Sequence, residues 1–231
     1  MELLRNRAFD AEIMDDFSLP GEQVDGVLHG LGKMNALFGG HQSVIKALQE
    51  CDPQQGFHIS DWGCGGGDTL IAIAKWAGKN NINLKLHGVD ASAAAVKFAR
   101  KRSNPFPEIS YTKADVLKHD FEEQQFDVVL CSLFSHHFDD EAWVELIRRM
   151  FFACRQRVVI TDLHRHWVLY GAVLAITRLF TSNKMAQHDG PLSVRKSFKR
   201  SELVQLLAKA DISNYRLQWK WAFRWRIIIY K

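Results

Sequence analysis

From residue 57 onward, short apolar and β-branched runs alternate with stretches of helical period. The runs predict strands at Phe57–Trp62, Leu84–Val89, Ile109–Thr112, Phe126–Ser132 and Arg157–Asp162. Helices are predicted between them at Asp68–Lys79, Ser92–Arg102 and Asp139–Phe152, the last opening on acids suited to a helix N-terminus. The nearly unbroken apolar character of the strands suits a parallel sheet covered on both faces. The chain then departs from this alternation. A helix near Lys199–Ala210 precedes two β-rich runs, Tyr215–Trp221 and Phe223–Tyr230, and the short gap between them permits only a hairpin. One antiparallel strand is therefore expected at the edge of the sheet. Two segments fall outside this core. Residues 1–56 read as a helical cap, broken at Gly39-Gly40 before a helix over Ser43–Glu50. Residues 164–198 form an insertion after the fifth strand. Its ten apolar residues Trp167–Ile176 are too few to span a bilayer and predict a buried or lid helix that can wall an apolar substrate.

Composition narrows the class. With 231 residues, 47% apolar, 24% charged and five prolines, the chain suits one domain with a full core, cap and insertion included. Met1–Arg7 has no apolar stretch of the signal-peptide kind. The four cysteines form no CxxC pair, so neither a disulfide framework nor a zinc site is expected and a cytoplasmic setting fits. Charge is uneven. Arg195–Lys231 carries ten Lys/Arg against Glu202 and Asp211, whereas residues before Cys51 are net negative. A basic face of this kind is solvated, or attracts an anionic substrate, carrier or membrane surface.

The chemistry concentrates where the first strand ends. Asp61-Trp62-Gly63-Cys64-Gly65-Gly66-Gly67-Asp68 places an acid before a glycine run and a helix start. Glycines let the backbone turn sharply and lie against a ligand, and the helix offers free N–H groups to it. This is the pattern of a nucleotide-type cofactor site. A tight strand–helix turn without function is the simpler alternative, and Cys64 reads as a small filler residue. A Rossmann dehydrogenase also uses such glycines, with an acid about 20 residues on for the ribose. Asp90 ends the second strand and serves ribose hydroxyls in either case, or caps the following helix. Asp61 weighs against the dehydrogenase, because it repels a pyrophosphate but can hold a cationic amino group, and Asp115 after the third strand and the terminal hairpin weigh the same way.

With these residues the chain resembles the class I S-adenosylmethionine-dependent methyltransferases, over roughly Phe57–Asp162 and the terminal hairpin. The resemblance implies a Rossmann-like, mostly parallel seven-stranded α/β sheet with a reversed last strand. It implies S-adenosyl-L-methionine as methyl donor and S-adenosyl-L-homocysteine as product. The cofactor-binding set it implies is Asp61, Gly63, Cys64, Gly65, Gly67, Asp90, Ala91, Asp115, Val116 and Ser132, with Asp115 after strand three at the adenine amino group.

After strand four stands Ser132-Leu133-Phe134-Ser135-His136-His137, at the position that borders the methyl group in that family. The Asn/Asp-Pro-Pro-aromatic sequence of base and glutamine N-methylating members is absent, and Asp139 and Asp140 belong to the next helix, so no metal is expected. His136 and His137 are the leading catalytic candidates, since an imidazole can take the proton of a phenol. The alternative has His136 packing against the cofactor and His137 bonded in the core. His188, beside Asp189, is a further candidate base within what otherwise reads as a surface loop. That His-Asp-Gly-Pro run and Met34–Gly40 resemble segments of bacterial members acting on small molecules. The expected activity is methylation of a small apolar or aromatic acceptor, a phenolic oxygen first. Alternatives are a quinone-precursor C-methyltransferase and a non-catalytic sensor or partner subunit. No nucleic acid partner is expected; RNA or protein methylation is the reading that the basic C-terminal third would favour.

Overall fold

A computed structural model describes residues 2–16, 25–30, 32, 35 and 39–231. Its strands are β1 (Phe57–Trp62), β2 (Leu84–Asp90), β3 (Ile109–Lys113), β4 (Phe126–Ser132), β5 (Cys154–Leu163), β6 (Tyr215–Lys220) and β7 (Arg224–Tyr230). The helices are α1 (Gly40–Gln49), α2 (Asp68–Lys79), α3 (Ala93–Arg102), α4 (Asp140–Ala153), α5 (Trp167–Phe180), α6 (Lys184–Lys196) and α7 (Arg200–Lys209). One seven-stranded sheet runs in the order β3-β2-β1-β4-β5-β7-β6. β1 through β5 are parallel, and β7 is antiparallel to both its neighbours.

The reversed strand is thus not at the edge, as the gap length suggested, but between β5 and β6. Burial explains the placement. Ile227, Ile228 and Ile229 are buried on both faces of β7, as a central strand requires, while no residue of β6 is fully buried and Trp219 is exposed. Two apolar layers flank the sheet. Trp62, Trp143, Leu146 and Phe198 anchor one, and Leu48, Ile59, Leu70 and Ile73 the other. Each such side chain contributes about 1.5–3 kcal/mol through removal from water.

Helix starts follow local chemistry. Ser92 Oγ accepts from Ala95 N–H at α3, Asp139 from Ala142 N–H at α4, and Asn183 from Met185 and Ala186 N–H at α6. The run Gln187–Arg195, which reads as a loop, lies inside α6 with Pro191 within the helix. Met185, Asp189, Leu192 and Lys196 are all buried at helical spacing, and that packing outweighs the Gly-Pro signal. α5 pairs with α6 but leaves Trp167, Val168 and Leu179 exposed.

Within the helical cap expected for residues 1–56, residues 25–30 and α1 are helical, whereas residues 2–16 are not. Residues 2–16 form only two single 3-10 turns, Glu2–Leu4 and Ile13–Asp15, joined by open chain. This segment is fastened by charge instead of by a helix face. The Arg7 guanidinium donates to the Lys196 and Phe138 carbonyls, pairs with Asp140 at 2.7 Å and stacks over Phe198. Buried Arg165 donates to the Leu4 carbonyl and pairs with Glu202. α1 begins at Gly40, three residues earlier than expected. Of the Met34–Gly40 segment, Met34 and residues 36–38 lie outside the described residues.

Candidate active site

The glycine turn opens at the carboxyl end of β1. Gly63, Gly65 and Gly67 take φ of +72°, +50° and +73°, a region that side chains with a Cβ rarely enter. Space forbids a side chain as well. A Cβ at Gly63 would lie 2.1 Å from the Phe134 ring, and one at Gly67 2.3 Å from the Tyr111 hydroxyl. Residues 25–30 are helical and bring Leu28 over Gly65, where a Cβ would meet it at 3.5 Å.

Asp61 is buried, and its Oδ1 has no hydrogen-bond partner among the described residues. Burial, with Asp90 and Asp68 adding to it, pushes its carboxyl up to about 7. Asp90 accepts from Gly65 N–H at 2.8 Å and Ser92 N–H at 2.9 Å. Burial raises its pKa, and those two N–H groups work against the rise. The Cys64 thiol is buried and pushed well up, so it stays protonated as a filler; a Cβ on Gly88 would meet its Sγ at 2.8 Å. Asp115 accepts from Leu117 N–H and pairs with Lys118 at 3.2 Å. Val116 is buried in the core and Ala91 half-buried, while Ser132 Oγ lies 3.0 Å from Thr161 Oγ1. An orphaned buried carboxylate oxygen beside a cradle closed to side chains fits a ligand with a cationic group and a flat body.

Across the turn, Phe134 links this cradle to the histidines, its ring centroid 5.9 Å from that of His137. His136 and His137 form a single turn after β4. His136 Nδ1 donates to Asp162 Oδ1 at 2.7 Å, and Asp162 also receives the His136 N–H and the Ser135 hydroxyl. Burial would push Asp162 up, but these partners hold it below the usual carboxylate range. His137 Nδ1 donates to Asp15 Oδ1 at 2.8 Å. Burial disfavours the charged imidazole, yet the Asp15 bond and the Glu12 charge raise His137 above its ordinary value. Burial likewise opposes ionised Asp15, but His137 and Lys196 bring it down to about 2. Because both Nδ1 atoms face carboxylates, each Nε2 keeps the lone pair in the neutral ring. Both Nε2 atoms point at Glu12, at 3.8 and 3.9 Å.

Glu12, His136 and His137 offer three ligand atoms within 4.8 Å of one another. Lys196 Nζ stands 3.5 Å from Glu12 Oε1 and from Asp15 Oδ2, so a divalent ion would have to displace an ammonium already serving these carboxylates. His188 is elsewhere. It lies on α6, half-exposed, bonded to Asp189 at 2.7 Å, and Asp189 also accepts from the Ile13 and Met14 N–H groups. Asp189 thereby fixes the turn that carries Asp15. The sequence reading missed Glu12, Asp15, Asp162 and Lys196 as partners of the histidines. Only Asp162 had a signal: it ends the strand next to β4, beside the His-His turn.

Comparison with known proteins bears on the family and the fold. Residues 59–157 match the family described as "Methyltransferase domain". The 2-phytyl-1,4-naphtoquinone methyltransferase of Trichormus variabilis is 37% identical over 67 residues, 28% of each chain. YxjB of Bacillus subtilis, whose name ascribes to it guanine-N(1) methylation of 23S rRNA, is 32% identical over 170 residues, 67% of this chain and 55% of that one. The chain thus spans little more than half, or less, of these relatives' length. Among solved structures, the plantazolicin methyltransferase BpumL in complex with SAH superposes with a TM-score of 0.68 at 17% identity, covering 93% of this chain and 91% of that one. At that identity the likeness is one of fold.

Proposed function

We propose that this chain, which carries a methyltransferase domain of the class I S-adenosylmethionine-dependent family, methylates a small apolar or aromatic acceptor, a phenolic oxygen first. The observation that carries the reading is His137, at the rim after β4, with Nδ1 held by Asp15 and Nε2 left to take a proton. Asp61 would hold the cofactor's amino group, Asp90 its ribose, and Asp115 its adenine, with Gly63–Gly67 lining the turn against it. When bound, S-adenosylmethionine supplies an electrophilic methyl carbon whose sulfur leaves without acid help.

What remains for the protein is alignment and one proton. Fixing two reactants in line can lower a barrier by roughly 7–11 kcal/mol. A general base contributes about 10²–10⁴-fold. His137 Nε2 would accept the phenol proton, and Asp15 and Glu12 would stabilise the imidazolium that forms. His136, locked between Asp162 and the core, would shape the floor beside it. The N-terminal segment and the α5–α6 insertion would close over the acceptor and exclude water.

A second reading is methylation of a quinone-precursor carbon, favoured by the match to the naphthoquinone enzyme. The same base would deprotonate the ring hydroxyl, the ring carbon would attack the methyl group, and the proton on that carbon would then be lost while the oxygen regains one, restoring the aromatic ring. Transfer of labelled methyl to a panel of phenols, quinols, amines and 23S rRNA tests both. Label in a phenyl ether supports the first reading, ring-carbon label the second, and binding of S-adenosylmethionine without transfer would leave a sensor.

A further inference from the structure

We propose that Arg224 and the N-terminus of α1 form a carboxylate-binding subsite on the acceptor side of the cleft. Arg224 is only 4% exposed, yet its Nε and Nη1 meet no hydrogen-bond acceptor among the described residues. The negative group that faces it is Asp162, already committed to His136 and Ser135. A buried cation left in this state is costly unless an anion arrives to pair with it. The guanidinium is aimed at a receptive place. Its Nη1 lies 2.9 Å from where a Gly40 Cβ would stand, and Gly40 opens the ten-residue helix α1. Among the described residues no side chain caps α1, and no acid stands in its first turn. Its leading N–H groups and positive dipole end are therefore open to an anion.

Two more groups face the same place. Asn35 Oδ1 would touch a Gly40 Cβ at 1.8 Å, and His41 Nε2 is likewise buried without a partner, in the field of Arg224 and Asp68. Glycine at position 40 leaves room for the Asn35 carboxamide and the Arg224 guanidinium to reach the helix N-terminus. An unpartnered guanidinium nitrogen beside a helix N-terminus matches a carboxylate in charge and hydrogen-bond donors.

The sheet order indicates whose carboxylate. The glycine turn lies at β1 and β2, on one side of β4, whereas Arg224 opens β7 opposite Leu163 of β5, on the other side. Ligands of open α/β sheets occupy the carboxyl ends of the strands, and this half is the one beside His136. The acceptor is then an aromatic acid, its carboxylate on Arg224 and its hydroxyl towards His137. That assignment rests on the reading of the function given above; the subsite itself does not. The methyl donor also has a carboxylate, so the test separates the two sources.

The test measures binding, so it stays readable if no methyl transfer is found. Calorimetric dissociation constants are compared for wild type, Arg224→Met and Arg224→Lys with three probes: S-adenosylhomocysteine, and 4-hydroxybenzoate and phenol on the S-adenosylhomocysteine-loaded protein. The expected result is 4-hydroxybenzoate weakened about 10–100-fold in Arg224→Met, partly restored in Arg224→Lys, with phenol and S-adenosylhomocysteine unchanged. Loss confined to S-adenosylhomocysteine would keep the subsite and overturn its assignment to the acceptor. No response from any carboxylate probe, including a failure of 4-hydroxybenzoate to bind wild type, would overturn the proposal. Unliganded Arg224→Met should melt at or above the wild-type temperature, since it loses an uncompensated charge. A drop of several degrees would show a structural arginine and also overturn it.

Discussion

At Asp61 the proposed cofactor contact sets opposite demands on a single carboxyl in the free and the bound protein. Buried and raised to about 7, it is stabilising relative to the unfolded chain only while protonated. The unliganded protein should therefore lose stability as pH rises from about 4 through about 7. Asp61→Asn should flatten that loss while abolishing S-adenosylhomocysteine binding; a variant that still binds would contradict the assignment. At pH 6, binding should release a proton, visible as a buffer-dependent calorimetric enthalpy. The His137–Asp15 pair works with the other sign. His137 is raised and Asp15 lowered to about 2, so their bond stabilises fully from about pH 4 to about 6.5 and fades as pH climbs through the His137 value. Asp15→Asn should cost more melting temperature at pH 6 than at pH 9. In the proposed reaction the same bond would set the acid limb. kcat/KM should rise with an apparent pKa above 6.5, and Asp15→Asn should move that limb down. An unmoved limb would place the base elsewhere.

Among the elements, the 3-10 turn Ile13–Asp15 has the least material and the most consequence. None of its residues is fully buried, and only Met14 packs against an apolar cluster, that of Leu28 and Ala95. Asp189 of α6 holds it through the Ile13 and Met14 N–H groups, and Ser193 donates to Glu12 at 3.0 Å. Asp189→Ala should cost about 1–3 kcal/mol in stability and speed hydrogen exchange at residues 13–16. It should also lower kcat with little change in S-adenosylhomocysteine affinity. Equal loss of both would mean that the turn supports the whole cleft and not the base. None of these partners was legible in the sequence. Glu12 and Asp15 lie more than 120 residues from His136 and His137, and no local pattern encodes a contact made only when two segments close over a sheet. The Gln187–Arg195 run misled for the opposite reason, because Gly-Pro is a strong local breaker and tertiary packing overrode it.

Across the whole molecule, the parts readable from sequence are those whose physics is local. The strand and helix periods, the acid-glycine turn and the terminal hairpin each declare themselves within a dozen residues, and together they give the sheet and the cofactor. The order of the last two strands needed one more comparison, between the Ile-Ile-Ile run of β7 and the mixed β6. The glycine turn and its flanking acids were therefore legible residue by residue, whereas the proposed acceptor half is assembled from the N-terminal segment, α6 and β7. No helix among the described residues is long and apolar enough to cross a membrane. The central claim is methyl transfer with His137 as base. It is tested most directly by following labelled methyl from S-adenosylmethionine to a panel of phenols and phenolic acids, with wild type and His137→Gln. The account predicts a labelled methyl ether with wild type, about 10²–10⁴-fold slower transfer with the variant, and equal S-adenosylhomocysteine affinity in both. Transfer undiminished in His137→Gln, or binding with no transfer to any acceptor, would contradict it.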